Sequence, residues 1–268
     1  MNIKFNKFLS IKIIAVILLF GVIIISAQKS KSVKNRANKT TASTLNKAEI
    51  EKIVRDYLLK NPTVIREAML ALQIKEEKEK QDRGLNSLKS KKLEIFADID
   101  SPVIGNKNGD VAIVVFFDYF CGYCRKNLPE LSKLLEKDSS VKVIFKEFPI
   151  LGEQSVIAAK AALAAARQGK YPEFHKALLE SENVNEEIIK TISGNLGLNY
   201  EKLQIDMKDA KINEVINRTY SLAESLNIDG TPAYIIGEQI IPGAVNTVYL
   251  AKAVSAERSK LANSKVKK

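Results

Sequence analysis

The chain has two cysteines, Cys121 and Cys124, and they stand with two residues between them in Phe116-Phe117-Asp118-Tyr119-Phe120-Cys121-Gly122-Tyr123-Cys124. Thiols at that spacing can exchange with an external disulfide and with each other. The attacking species is the thiolate, and an ordinary free thiol is only a few per cent ionised at neutral pH. Unpaired N–H groups and the macrodipole at a helix N-terminus favour the anion. Cys121 stands where an apolar strand gives way to helical spacing, so it is the candidate nucleophile. Cys124, one turn further in, is the candidate resolving thiol. Gly122 and Tyr123 between them carry no charge, which leaves electrostatic tuning to the helix end and to Arg125 and Lys126.

Two other uses of such a pair are an inert structural bridge and half of a four-cysteine metal site. The absence of a further cysteine, with His175 as the single histidine, excludes the metal site. A bridge across so short a loop stabilises little on the chain-entropy account. The strand-to-helix context is the one a redox Cys-x-x-Cys needs. No bound cofactor is expected, since the redox group is the Cys121–Cys124 disulfide itself.

The elements that must hold this pair are legible around it. Val111–Phe117 is an unbroken apolar run, which predicts a buried strand of a mostly parallel sheet. Leu128, Leu131, Leu134 and Leu135 fall on one helical face after Cys124. A second buried strand is expected at 141–145, followed by Phe148-Pro149-Ile150-Leu151-Gly152. Helical patterns then run over 155–167, 171–179, 186–192, 200–206 and 211–226, and His175 beside Phe174 reads as a packing residue. Asp229-Gly230-Thr231-Pro232 precedes an antiparallel hairpin at 233–236 and 239–241, with a last helix at about 246–262. This order is that of an α/β thioredoxin fold with a helical insertion at about 152–212. A proline opening a central strand lacks the N–H donor. A cis Thr231–Pro232 bond would turn the chain there and leave the Thr231 backbone beside Cys121 for a substrate strand to pair with.

The N-terminal third has a different organisation. Lys4, Lys7 and Lys12 precede an apolar run at 13–25 and Ser26-Ala27-Gln28, so 1–27 reads as an export signal cut after Ala27 or as an uncleaved anchor through 13–27. Residues 28–46 are small and polar and form a linker. Helical spacing begins at Lys47 with Ile50, Ile53, Val54, Tyr57 and Leu58. Asn61-Pro62 is expected to stop that helix and start a second, with Asn61 as the N-cap of the second, which carries Ile65, Met69 and Leu72 before dissolving into the charged stretch 75–83. Such a stripe must be buried somewhere, either on the catalytic domain at 93–262 or against other copies. The region 47–92 is read as an oligomerisation stalk that works through 47–75, with 263–268 a basic tail. The net charge of +11 suits an anionic membrane surface. No nucleic acid is expected, because no aromatic-interleaved basic patch or groove-reading motif appears.

The segments Phe116 to Cys124, Glu147-Phe148-Pro149-Ile150-Leu151-Gly152, Phe174-His175, Gly230-Thr231-Pro232-Ala233 and Ile241-Pro242-Gly243-Ala244 resemble the DsbA family of periplasmic thiol-disulfide oxidoreductases. The added helical region resembles that of ScsC-type members, which use it to oligomerise. The resemblance implies that Cys121 attacks, that Cys124 resolves, and that Thr231 and Pro232 contact substrate. Thr before the proline, with Gly122-Tyr123 between the cysteines, is similar to isomerase-type members. The family's oxidases often carry a buried acid six positions before the first cysteine, where this chain has Val115, so proton transfer is expected to use water or a nearby group, with Glu147 the candidate relay. The resulting reading is a periplasmic disulfide isomerase acting on misoxidised or unfolded exported proteins and kept reduced by a membrane redox partner. A dithiol oxidase is the alternative within the family, and a Cu(I)-binding or holdase module the alternative outside it.

Overall fold

The computed structural model describes residues 46–181 and 183–266. The expected leader and most of the expected linker lie outside these residues. The chain divides after Val64 into two compact units.

Helix α1 (Lys47–Lys60) begins at Asn46, whose side chain accepts from Glu49 N while Glu49 reaches back to Asn46 N. This reciprocal cap satisfies two otherwise orphaned donors. Ile50, Ile53, Val54 and Tyr57 stand exposed along α1. Asn61 does not cap the next helix. Its backbone N–H and its side-chain amide both bond Tyr57 O, closing α1, because an asparagine amide can donate to a terminal carbonyl as readily as its oxygen can accept from an N–H.

Helix α2 (Thr63–Ser90) runs without a break through the charged stretch. Ile65, Met69, Leu70, Leu72 and Ile74 are exposed on it, yet Leu88 is fully buried. The final turns pack within the second unit: a Cβ on Gly84 would come within 2.8 Å of Leu226 O, and the Asn227 amide donates to Lys80 O at 2.6 Å. A short helix α3 (Lys92–Phe96) follows, with Ile95 buried beside Leu88.

The core of the second unit is a five-stranded sheet in the order β1 (Val103–Gly105), β3 (Val141–Glu147), β2 (Val111–Phe117), β4 (Ala233–Ile236), β5 (Gln239–Pro242). Only β2 and β3 are parallel, and the other three pairings are antiparallel. The sheet is therefore mixed rather than mostly parallel. The apolar run in β2 reports burial on both faces, and an antiparallel neighbour satisfies that as well as a parallel one. Val111, Ile113, Val115 and Phe117 face one hydrophobic cluster with the insertion helices, while Val114 and Phe116 face another with Leu88, Ile95 and Leu222. Period-two alternation thus feeds two separate cores.

Helix α4 (Gly122–Lys137) links β2 to β3. After β3 come α5 (Glu153–Arg167), α6 (Tyr171–Glu180), α7 (Glu186–Asn195) and α8 (Tyr200–Met207), then α9 (Ala210–Ser225), the β4–β5 hairpin and α10 (Thr247–Val266). This is a thioredoxin fold with a helical insertion between β3 and the hairpin. The start of α10 is tied to α4, since Thr247 N and Oγ1 both donate to Glu130 Oε2.

Removing Leu88 would open a cavity beneath α3. We expect Leu88→Ala to cost about 2–5 kcal/mol in urea unfolding, against about 0.5 kcal/mol or less for the neighbouring exposed Leu85→Ala; equal effects would mean that the end of α2 is not part of the core.

Candidate active site

The site forms where β2 ends. Asp118 follows the strand, and although buried its carboxylate is fully used: Oδ1 accepts from Phe120 N at 2.7 Å and Ser155 Oγ at 2.8 Å, and Oδ2 from Leu151 N at 3.0 Å. One side chain thereby pins the cysteine loop to the exit of β3 and to α5. Cys121 N donates to Asp118 O at 3.2 Å, and Arg125 N to Cys121 O at 3.1 Å. Cys121 is the N-cap of α4, in extended geometry, and its side chain makes no cap hydrogen bond.

Gly122 and Tyr123 face solvent, and Tyr123 is 68% exposed. Arg125, expected to act on the cysteines, is held elsewhere. Its Nε donates to Tyr119 O at 2.8 Å, Nη1 donates to Ser181 O, and the guanidinium lies 5.9 Å from the Phe120 ring centroid.

Thr231 and Pro232 meet the cysteines from the start of β4, the strand paired with the end of β2. Their peptide bond is cis, Cys121 Sγ donates to Thr231 O at 3.1 Å, and Pro232 O accepts from Gly243 N at 2.9 Å. The structure thus brings Cys121, Cys124, Thr231 and Pro232 together. Both cysteines are free thiols and both are buried.

Burial pushes the Cys124 thiol well above the ordinary thiol range, and the neighbouring Cys121 adds to the effect. Cys124 is therefore a neutral thiol at neutral pH and must lose a proton when it attacks. Glu147 stands at the C-terminal end of β3, opposite Phe117. It is fully buried, and its Oε1 accepts from the Tyr119 and Tyr171 hydroxyls at 3.1 and 2.9 Å. Burial raises its pKa well above the usual carboxylate range, although the two tyrosine hydrogen bonds oppose this. His175 does pack, edge-on to Phe117 and stacked on Tyr171, but its Nδ1 also lies 2.9 Å from the Tyr119 hydroxyl. Burial alone depresses its pKa to about 3.

Sequence reasoning did not single out Asp118, Asn127, Tyr119 or Tyr171. Asn127 Nδ2 donates to the buried Tyr234 hydroxyl at 2.6 Å. The available signal was a lone carboxylate at the end of an apolar strand and polar residues on an apolar helix face, each of which needs a partner when buried.

The DSBA-like thioredoxin domain model matches residues 112–255, which include both cysteines and Thr231-Pro232. The chain belongs to the DSBA-like thioredoxin domain family. A second family model, the copper resistance protein ScsC N-terminal domain, matches residues 46–79, the stretch that carries the exposed apolar side chains of α1 and of the first half of α2. Among solved members of the fold, a thioredoxin-like oxidoreductase from Silicibacter pomeroyi is 40% identical, with a TM-score of 0.61 over 62% of this chain and 97% of that one. Proteus mirabilis ScsC in a transitional conformation is 32% identical, with a TM-score of 0.60 over 81% and 100%. The probable disulfide bond formation protein D of Bacillus anthracis is 26% identical over 66% of this chain and 87% of its own. A match at 26% identity to an Na(+)/H(+) antiporter NhaA of Salinispora tropica covers 57% of this chain and only 24% of that relative, so the chain spans about a quarter of the antiporter's length.

The buried imidazole makes a pH prediction for this DSBA-like domain. His175 binds a proton below about 6.5 when unfolded but only below about 3 when folded, so stability falls as the pH falls through that window. Glu147 acts in the opposite sense: its raised folded pKa stabilises at low pH, and the contribution is lost as the pH rises above the ordinary carboxylate value. Between pH 7 and pH 4.5, His175→Phe should remove about 2–3 kcal/mol of acid-induced loss in unfolding free energy. Urea midpoints at the two pH values measure this, and an unchanged pH slope would refute it.

Proposed function

We propose that the protein is an exported thiol-disulfide oxidoreductase that isomerises disulfides in secreted proteins. The observation that carries the reading is the pairing of Cys121 Sγ with Thr231 O at 3.1 Å, with Cys124 shielded one turn behind. In this mechanism a substrate segment lies extended along the Thr231 backbone, whose main-chain groups align it by strand addition. The Cys121 thiolate attacks one sulfur of a wrong disulfide, and the other sulfur leaves as a thiolate. The mixed disulfide is then displaced by another substrate thiol, which completes an isomerisation, or by Cys124, which reduces the substrate and leaves the Cys121–Cys124 disulfide.

Isomerisation requires the pair to be kept reduced, and the Cys124 branch leaves it oxidised, so a membrane redox partner that reduces it belongs to the proposal. Export rests on the basic and apolar character of 1–27. Among the described residues no helix is long and apolar enough to cross a membrane; the anchor alternative at 13–27 lies outside them. Assembly into a homo-oligomer through 47–75 is supported by the exposed Ile50, Ile53, Tyr57, Ile65, Met69 and Leu72 and by the ScsC N-terminal domain match. Apolar side chains in such number need a partner surface. Copper in the printed name of that domain favours one second reading, in which the two soft thiols ligate Cu(I).

Two experiments test this. Cys124→Ala should accumulate mixed disulfides through Cys121, visible on non-reducing gels and abolished by dithiothreitol. Loss of Cu(I) binding with no trapped adduct would instead support the metal reading. In the full chain, Ile53→Asp with Met69→Asp should shift light scattering to a smaller species and abolish reactivation of scrambled ribonuclease, while oxidation of a reduced dithiol peptide stays within about twofold. Full ribonuclease reactivation by a dissociated variant would sink the claim that the stalk makes the isomerase.

A further inference from the structure

Two buried polar atoms near the cysteines, His175 Nε2 and Glu147 Oε2, have no hydrogen-bond partner in the protein. His175, Cys124 and Tyr234 line one small cavity, with Val115, Phe117 and Pro232 among its apolar walls. Its volume of about 20 Å³ accommodates one water molecule, for which roughly 10–15 Å³ suffices. Of the residues that line it, Cys124, His175 and Tyr234 carry the polar groups available to a water there. The Tyr234 hydroxyl accepts from Asn127 and keeps its own proton to give.

Behind the cavity the hydrogen bonds run in one direction. The Tyr119 hydroxyl donates to Glu147 Oε1 at 3.1 Å, so its oxygen is left to accept from His175 Nδ1 at 2.9 Å. In that tautomer the lone pair of the neutral imidazole is on Nε2. Tyr171 donates to the same carboxylate oxygen at 2.9 Å and stacks on the imidazole, holding both ends of the chain in place.

We propose that His175, Tyr119 and Glu147 form a proton relay that takes the Cys124 proton, through one water in this cavity, as the resolving thiol attacks. The proposal rests on the redox reading above and supplies its second step with an acceptor. Cys124 Sγ bonds to Cys121 Sγ, the bond from Cys121 to the substrate sulfur breaks, and the substrate leaves as a thiolate. The Cys124 proton passes by way of the water to His175 Nε2, the Nδ1 proton passes to Tyr119 Oη, and the Tyr119 proton passes to Glu147. The net change is one proton moved from Cys124 to the Glu147 carboxylate, and it returns when a dithiol donor reduces the pair.

The imidazole changes tautomer without becoming a cation, which suits a group that burial holds neutral down to about pH 3. Glu147 suits the terminus because burial raises its proton affinity. Among the groups facing the relay, the Asp118 carboxylate raises Glu147 and Tyr119 further, Tyr171 flanks it, and Cys121 acts on Tyr234 as Cys124 does.

The test is an infrared difference spectrum of the full chain between its dithiothreitol-reduced and oxidised forms. Oxidation should produce the carbonyl band of a newly protonated carboxyl group, shifted in D₂O and missing in Glu147→Gln. An oxidised wild type without that band would overturn the relay while leaving the redox function intact. A chain that forms no Cys121–Cys124 disulfide would instead overturn the redox reading. With glutathione as a mixed disulfide on Cys121, His175→Phe should release it roughly 10²-fold or more slowly and flatten the pH profile of release. Release at the wild-type rate from the folded variant would also overturn the relay.

Discussion

The register between β2 and β4 is the constraint on which the site depends. Phe116 lies opposite Ala233, and the two strands run antiparallel, so the chain leaves β2 at the same edge where it enters β4. Cys121 and Thr231 meet there although 110 residues separate them. A slip of one residue would turn the inward set of β2 to the opposite face and exchange Val115 and Phe117 for Val114 and Phe116 in the cluster that holds the cysteines. Burial on both faces makes that slip costly, because each cluster is filled by its own set of side chains.

Around that edge, the same low-polarity setting acts differently on each ionisable group. Burial raises Cys124 and Glu147 and lowers His175, in each case by disfavouring the charged form. Under the proposed function this becomes a division of labour, with Cys121, at the helix end and beside Thr231, meeting substrate while Cys124 stays protonated until an acceptor is offered. Val115 leaves the wall beside Cys124 apolar, and the polar groups behind it come from the cysteine loop, β3 and α6.

The N-terminal helices follow other rules. In α1 and the first turns of α2, apolar side chains stand in solvent, where they contribute nothing to a fold until they meet a surface. The last turns of α2 are anchored instead, by the close approach of Gly84 to Leu226 O and by the burial of Leu88. A helix that is docked at one end and unpartnered along the other serves two purposes along one continuous hydrogen-bonded rod.

The longer elements and their order were legible from hydrophobic period, because a seven-residue apolar run and a leucine face report burial wherever the rest of the chain lies; the three-residue β1 and five-residue α3 are too short to show a period and were not assigned. The cysteine pair and the Thr231-Pro232 dipeptide could be named for the same local reason: their chemistry is set by residue type and spacing. Strand direction was not legible, since a doubly buried strand has one pattern whether its neighbours run parallel or antiparallel. Asn61 was assigned to the wrong helix because an asparagine can cap either side of a break. His175 read as a packing residue, and it does pack. Its bond to Tyr119, the link from Tyr119 to Glu147 and the cavity shared with Cys124 join residues from four separate segments, and only tertiary structure decides which buried polar groups face one another.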